Sequence, residues 1–276
     1  VIETARREGG EGEQTSRIGE AFARCKAEGR TALIPFLTAG YPDMATMEAT
    51  LPALVEGGAD LIEIGVPFSD PLAEGKTVQR SSEGALANGT RFVDCLDLAR
   101  RLREHHGLTV PVILMGYYNP ILQYGIERAA ADAAAAGVDG FIVPDLPAEE
   151  SGELYDACQR YGCDLIFLVA PTSTDERLQA AGRQASGFIY CVSVTGITGS
   201  RSSLADDLPA FLTRVRAASD LPLAVGFGVS THEHVAAIGK VAEAAVCGSA
   251  LLNHLEDVPK DEQPEAAKRF LRGLVG

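Results

Sequence analysis

Positive charge is scarce in this chain. Its 24 Lys and Arg are set against 38 Asp and Glu, a formal net charge of −14. Nucleic acids and anionic membranes reward a basic face, so neither is an expected partner. Long apolar runs are also missing. No stretch approaches the ~20 residues of a membrane span. The opening VIETARREGGEGEQTSRI is charged and Gly-rich, without the apolar stretch of a secretory signal. Residues 1–15 are expected to form a disordered tail ahead of a single domain at 16–276. No Cys-x-x-Cys pair occurs among the six cysteines at 25, 95, 158, 163, 191 and 247. They read as reduced thiols of a cytoplasmic protein, with Cys191 and Cys247 as small core residues in apolar strands. No strand–GxGxxG–helix motif marks a dinucleotide site, and no Ser-His-Asp arrangement is recognisable. His232 and His234 stand two apart, but Ser230 reads as a helix N-cap before them, so they should diverge and hold no metal. His105, His106 and His254 read as surface residues.

What the sequence does contain is alternation. Short apolar runs at 32–38, 60–65, 111–115, 139–143, 164–168, 187–192, 222–226 and 243–247 read as strands. Helix-period segments lie between them at 44–57, 76–106 (as two helices), 120–136, 147–161, 174–184, 203–218 and 231–239. A last helical stretch from 249 is broken near Pro259 and Pro264. The junctions EGGADLIEIG, AAGVDGFIVP and RYGCDLIFLV repeat one scheme: a Gly suited to a left-handed helix end, then Asp, then a strand. Strands alternating with helices predict a parallel sheet. Eight such units favour a closed (β/α)8 TIM barrel over an open doubly wound sheet, in one domain with an extra N-terminal helix.

In LIEIGVPFSDPLAEGKTVQ, residues 61–79, a glutamate interrupts an apolar strand. Side chains alternate faces along a strand. If Ile62, Ile64 and Val66 face the helices, then Leu61, Glu63 and Gly65 face the barrel interior. Glu63 then sits near the C-terminal end of its strand, the end that carries the active site in this fold. It is either a proton carrier with a tunable pKa or a carboxylate satisfied by neighbouring N–H groups. Asp70 and Glu74 follow on the same face, within reach of a substrate or a partner, or as solvated loop acids. GFG at 226–228 and GSA at 248–250 follow the seventh and eighth strands, where this fold commonly holds phosphate, and Ser249 opens a helix. These glycines either cradle an anion or simply make tight turns. SVTGITGSRSS at 193–203 reads as a mobile lid or a plain connector, with Arg201 either a solvated charge or a phosphate contact.

These clusters, with PFLTAGYPD, LMGYYNP, FIVPDLPAEES, SVTGITG, GFGVS and GSALL in that order, resemble the tryptophan synthase alpha-subunit family from about Arg17 to the C-terminus. The resemblance implies a (β/α)8 barrel and a cytoplasmic lyase of tryptophan biosynthesis. Its reaction is retro-aldol cleavage of indole-3-glycerol phosphate to indole and glyceraldehyde 3-phosphate. No metal or cofactor is implied in this chain; pyridoxal phosphate belongs to the beta partner of an alpha2beta2 assembly. Matched by motif, Glu63 is the general acid/base, Glu74 the acid that meets the indole N–H, Tyr190 a tyrosine beside Glu63, and Thr198 the lid residue that pairs with Glu74. Gly199, Gly228, Gly248 and Ser249 form the phosphate cradle. Phe36, Val78, Met115, Tyr117 and Phe227 line the indole pocket, and Pro67, Asp70 and Asn119 contact the beta subunit. The chain departs from the family at two loop positions: Glu74 replaces the usual aspartate and Lys76 the usual proline. From these two changes, slow turnover in isolation, raised by a partner that orders the loop, is expected. Two other readings stay open: a catalytically weak subunit that activates the beta chain, and a free-standing lyase that releases indole.

Overall fold

A computed structural model describes residues 16–192, 203–226 and 228–276. The tail expected at 1–15 and the expected site residues Thr198, Gly199, Arg201 and Phe227 lie outside the described residues.

Among the described residues, nine strand segments form one wholly parallel sheet: β1 (Ala32–Thr38), β2 (Ile62–Gly65), β3 (Val112–Met115), β4 (Gly140–Ile142), β5 (Asp164–Ile166), β6 (Leu168–Val169), β7 (Ile189–Val192), β8 (Leu223–Gly226) and β9 (Ala244–Cys247). The order β5-β4-β3-β2-β1-β9-β8-β7-β6 begins and ends on the same stretch of chain. β5 and β6 are two halves of one predicted strand. The first half pairs with β4, through Gly140 opposite Asp164, and the second with β7, through Leu168 opposite Tyr190. Between them the Phe167 carbonyl accepts the Tyr190 N–H at 3.0 Å. The sheet therefore closes on itself as an eight-unit barrel.

The helices are α1 (Arg17–Ala27), α2 (Met44–Glu56), α3 (Lys76–Ala87), α4 (Phe92–Glu104), α5 (Tyr118–Tyr124), α6 (Ile126–Ala135), α7 (Gly152–Tyr161), α8 (Asp175–Gln184), α9 (Ser203–Ala218), α10 (His232–Ile238), α11 (Ser249–Glu256) and α12 (Gln263–Val275). The helix expected at 120–136 is two, split at Gly125, whose φ of 97° no ordinary side chain adopts comfortably. The start of the 147–161 segment is a separate 3-10 turn at Ala148–Glu150. Pro264 lies in the first turn of α12, where its missing N–H costs nothing, so it starts that helix rather than breaking it. The N-cap of α10 is Thr231, not Ser230: the Thr231 hydroxyl accepts the His234 N–H at 3.3 Å.

Alternation along the strands produces two apolar layers. Ile34, Leu61, Ile113, Ile142, Ile166, Phe188, Ala224 and Val246 fill the barrel interior. Ile62, Ile64, Val66, Leu114, Phe141 and Val225 face the helices, with Cys191 and Cys247 among them. All six cysteines are buried free thiols. Helix α1 closes the N-terminal end of the barrel, adding Ile18, Ala21, Phe22 and Cys25 to the inner layer. It begins where the Ser16 hydroxyl accepts the Gly19 N–H, and that hydroxyl also donates to Asp164 at 2.9 Å.

The repeated Gly–x–Asp junctions are explained at this same end. Gly58, Gly137 and Gly162 take φ values of 112°, 80° and 75° and end their helices in the left-handed region. Two of the following acids then clamp the neighbouring strand. Asp60 accepts the Leu33 N–H at 3.0 Å, and Asp139 accepts the Val112 N–H at 2.7 Å.

Candidate active site

Glu63 lies mid-strand on β2, in register with Phe36 on β1 and Ile113 on β3. It is wholly buried, and among the described residues neither carboxyl oxygen has a hydrogen-bond partner. An ionised carboxylate left unpartnered is strongly disfavoured. Burial, with the nearby Glu74 charge, pushes its pKa up to about 8. Among the described residues no N–H group satisfies it. Tyr190 on β7 is buried on the same interior face. Burial and then the charges of Glu63 and Glu74 raise its phenol well above the ordinary value, so it stays protonated. A Cβ at Gly226 would stand 2.9 Å from the Tyr190 hydroxyl, so glycine on β8 is what leaves this ring its place.

Glu74 approaches from the β2–α3 loop, in which the Glu74 N–H bonds to the Pro71 carbonyl at 3.0 Å. Burial pushes its carboxyl up to about 7. Two contacts flank it. The Ala73 N–H donates to the Tyr117 hydroxyl at 2.9 Å, and the Gln79 side-chain amide donates to the Glu74 carbonyl at 2.9 Å. Phe68 stacks on Tyr117 with ring centroids 4.8 Å apart, fixing the loop from its other side. Neither Gln79 nor the Phe68 stack is legible in the sequence, because each depends on how the loop turns back over the barrel.

Phe36 spans the mouth. Its ring lies over Gly65, where a Cβ would come within 2.5 Å of Cζ, and over Gly248, where the same test gives 3.4 Å. It thereby joins the acid side to the Gly-rich side. There Gly248 is the N-cap of α11 and offers no side-chain cap, leaving the first-turn N–H groups after Ser249 open to an anion. Gly228 has a φ of 61°, a backbone shape that glycine adopts without strain. Val78 and Tyr117 are buried near the acid loop, and Met115 is half-buried. Of the loop residues read as partner contacts, Asp70 and Asn119 are exposed, whereas Pro67 is buried within the chain itself. A further residue that sequence reasoning missed is Leu72, 89% exposed in the acid loop. An apolar side chain between Asp70 and Glu74 was the available signal.

Among the described residues, no three His, Cys, Asp or Glu gather as metal ligands. None of the described helices is long and apolar enough to cross a membrane. His232 bonds the Leu274 carbonyl at 3.0 Å while His234 turns toward Ser230, so the pair does diverge.

A sequence model of the family described as tryptophan synthase alpha chain matches residues 22–272. The chain is 54% identical to a tryptophan synthase alpha chain from Roseiflexus castenholzii, over 95% of this chain and 100% of that one. It is 48% identical to one from Geobacter sulfurreducens, over 94% and 97%. Among solved structures, tryptophan synthase subunit alpha from Legionella pneumophila superposes with a TM-score of 0.86 at 36% identity, covering 94% of this chain and 97% of that one. A chain of tryptophan synthase from M. tuberculosis gives 0.84 at 37%, covering 95% and 99%.

Proposed function

The chain belongs to the tryptophan synthase alpha chain family, and on that premise we propose how its residues divide the work at the barrel mouth. As a member it is a carbon–carbon lyase of tryptophan biosynthesis. It cleaves indole-3-glycerol phosphate to indole and glyceraldehyde 3-phosphate, as the alpha subunit beside a beta subunit.

Cleaving a carbon–carbon bond needs an electron sink, and an indole protonated at C3 provides one. The protein then has to place proton carriers. Glu63, protonated at neutral pH, delivers its proton to the indole C3. As a carboxylate it then takes the proton of the glycerol hydroxyl next to the breaking bond. The bonding pair returns to the ring as indole leaves, the hydroxyl carbon becomes the aldehyde, and Glu63 ends protonated as it began. Glu74, with a pKa near neutrality, accepts a hydrogen bond from the indole N–H and stabilises the positive character that nitrogen gains. Tyr190 packs beside Glu63 as a neutral phenol. Gly228, Gly248, Ser249 and Gly199 hold the phosphate with backbone N–H groups, which suits a chain of net charge −14. Phe36, Val78, Met115, Tyr117 and Phe227 enclose the indole, and Thr198 meets Glu74 when the lid closes. The beta subunit, which carries the pyridoxal phosphate, docks over Asp70 and Asn119 on a loop shaped by Pro67, in an alpha2beta2 assembly in the cytoplasm. This chain carries no cofactor of its own.

The observation that carries this reading is the fully buried Glu63, with both oxygens unpartnered among the described residues, beside a second acid of raised pKa. The experiment is indole release from indole-3-glycerol phosphate by wild type, Glu63→Gln and Glu74→Asp, each with and without a tryptophan synthase beta subunit. Turnover by wild type, its loss in Glu63→Gln and its acceleration by the beta subunit are expected. A silent wild type that Glu74→Asp awakens would show instead an activating subunit that has drifted from the chemistry.

A further inference from the structure

Glu74 sits just ahead of α3, which begins at Lys76 after the N-cap Gly75. Its backbone carbonyl is held by Gln79, one turn into that helix. Whatever fixes α3 therefore fixes the peptide from which the Glu74 carboxyl extends. On its inner side, α3 is anchored to the barrel by the Ser81 hydroxyl against the Thr38 hydroxyl at 2.6 Å, both buried. On its outer side it is strapped to α11. The Thr77 hydroxyl donates to Asn253 Oδ1 at 3.0 Å, and Arg80 reaches the same oxygen at 3.4 Å and Glu256 at 2.5 Å. Asn253 lies one helical turn past Ser249, where α11 opens onto the Gly-rich end of the site.

We infer that α3 is a lever between the two halves of the site, with Asn253 and Gln79 as positioning residues for the reaction. An anion seated on the first turn of α11 restrains that helix. Asn253 passes the restraint to Thr77 and Arg80, and Gln79 passes it to the Glu74 peptide. The substrate's phosphate then contributes to placing the acid at the other end of the molecule, so remote binding energy is used at the reacting centre. The inference rests on the reading of Glu74 and Ser249 given above. Packing alone does not explain the strap, since helix contact requires no carbonyl oxygen shared by two donors.

The test runs the reaction in reverse, condensing indole with either glyceraldehyde 3-phosphate or unphosphorylated glyceraldehyde, with a beta subunit present and serine withheld. Asn253→Ala should lower kcat about threefold with the phosphorylated aldehyde, the scale of exposed polar contacts, and leave kcat with glyceraldehyde unchanged. Asn253→Asp, which keeps the acceptor, should restore the rate. Gln79→Leu should lower kcat equally with both aldehydes, because it acts on Glu74 whatever fills the other end. An equal loss on both aldehydes in Asn253→Ala, or no loss, overturns the lever. Two controls separate this from failure of the underlying reading. If Glu74→Gln leaves kcat intact, or if Ser249→Asp, whose negative charge repels a phosphate from those N–H groups, leaves KM for the phosphorylated aldehyde unchanged, the site assignment itself falls, whatever Asn253 does. Asn253 is exposed, and a melting curve for each variant confirms that it folds.

Discussion

Asp60 and Glu63 are three residues apart, Asp60 just ahead of strand β2 and Glu63 within it, and both are buried. Asp60 faces the closed end of the barrel. Burial alone would raise its pKa, but Arg30, which grips both oxygens at 2.6 and 2.7 Å, and the Leu33 N–H pull it below the ordinary value. Arg24 adds a third contact from α1. Glu63 faces the open end. It has no donor among the described residues, and the charge that acts on it is another acid, Glu74. The closed end repeats its solution elsewhere: Asp139 takes the Val112 N–H, Arg103 and Arg17, and Glu243 takes the Leu223 N–H and Arg216. At one end, carboxylates are staples between strands. At the other, a carboxyl is left unsatisfied and so ready to exchange a proton. The stability forgone at the open end is secured at the closed one.

Removing each acid should sharpen this contrast. Glu63→Gln is expected to lower kcat by about 10²–10⁴, the range of a lost general acid–base group, read by indole release. Asp60→Asn should do the reverse. Arg30 and Arg24 are partly exposed and can turn to water, so the loss is that of a buried group left unsatisfied, about 1–3 kcal/mol, seen as a lower urea midpoint, while kcat of the folded protein stays near wild type. If Asp60→Asn proved neutral to stability, the closed end would not be the staple described here. Gly226→Ala tests the open end without touching an acid. Its Cβ would collide with Tyr190, and overpacking costs about 1–3 kcal/mol. A severalfold loss of kcat should accompany it as the ring moves against Glu63.

The pH profile separates the two open-end acids. Glu74 must be ionised to accept the indole N–H, so activity should rise as pH passes its value of about 7. Glu63 must be protonated to act first as an acid, so activity should fall as pH passes about 8. The result is a narrow bell, and Glu74→Gln should lose its acidic limb. The smallest effect expected is on stability. Glu63 binds its proton more tightly folded than unfolded, so its contribution is full below the unfolded value and is lost as pH rises through about 8. Glu63→Gln should therefore melt a few degrees above wild type at pH 8, with the gain shrinking toward pH 5.

How much of this was readable from residues alone follows the same division. Glu63 was legible because a period of two is strict: once Ile62, Ile64 and Val66 are assigned to the helices, Glu63 has only the interior left. The Gly–x–Asp junctions were legible as a repeat, but the partners of Asp60 and Asp139 were not. Arg30 is 30 positions from Asp60, and Arg103 is 36 positions from Asp139. The break between β5 and β6 was hidden because LIFLV is uniformly apolar, and it shows only when one strand must serve two neighbours. The split at Gly125 was hidden because the helical period runs through it. Thr198, Gly199 and Phe227 rest on the family resemblance, and the Asn253 strap joins residues 176 apart.

The most direct test of the account is a side-chain carboxyl titration by NMR, with ¹³C-labelled glutamate, comparing wild type with Glu63→Gln. The account predicts one glutamate carboxyl that titrates near pH 8 in wild type and disappears in the variant. A Glu63 that titrates in the ordinary glutamate range would mean it is ionised and satisfied at neutral pH, and would contradict its part as the proton carrier.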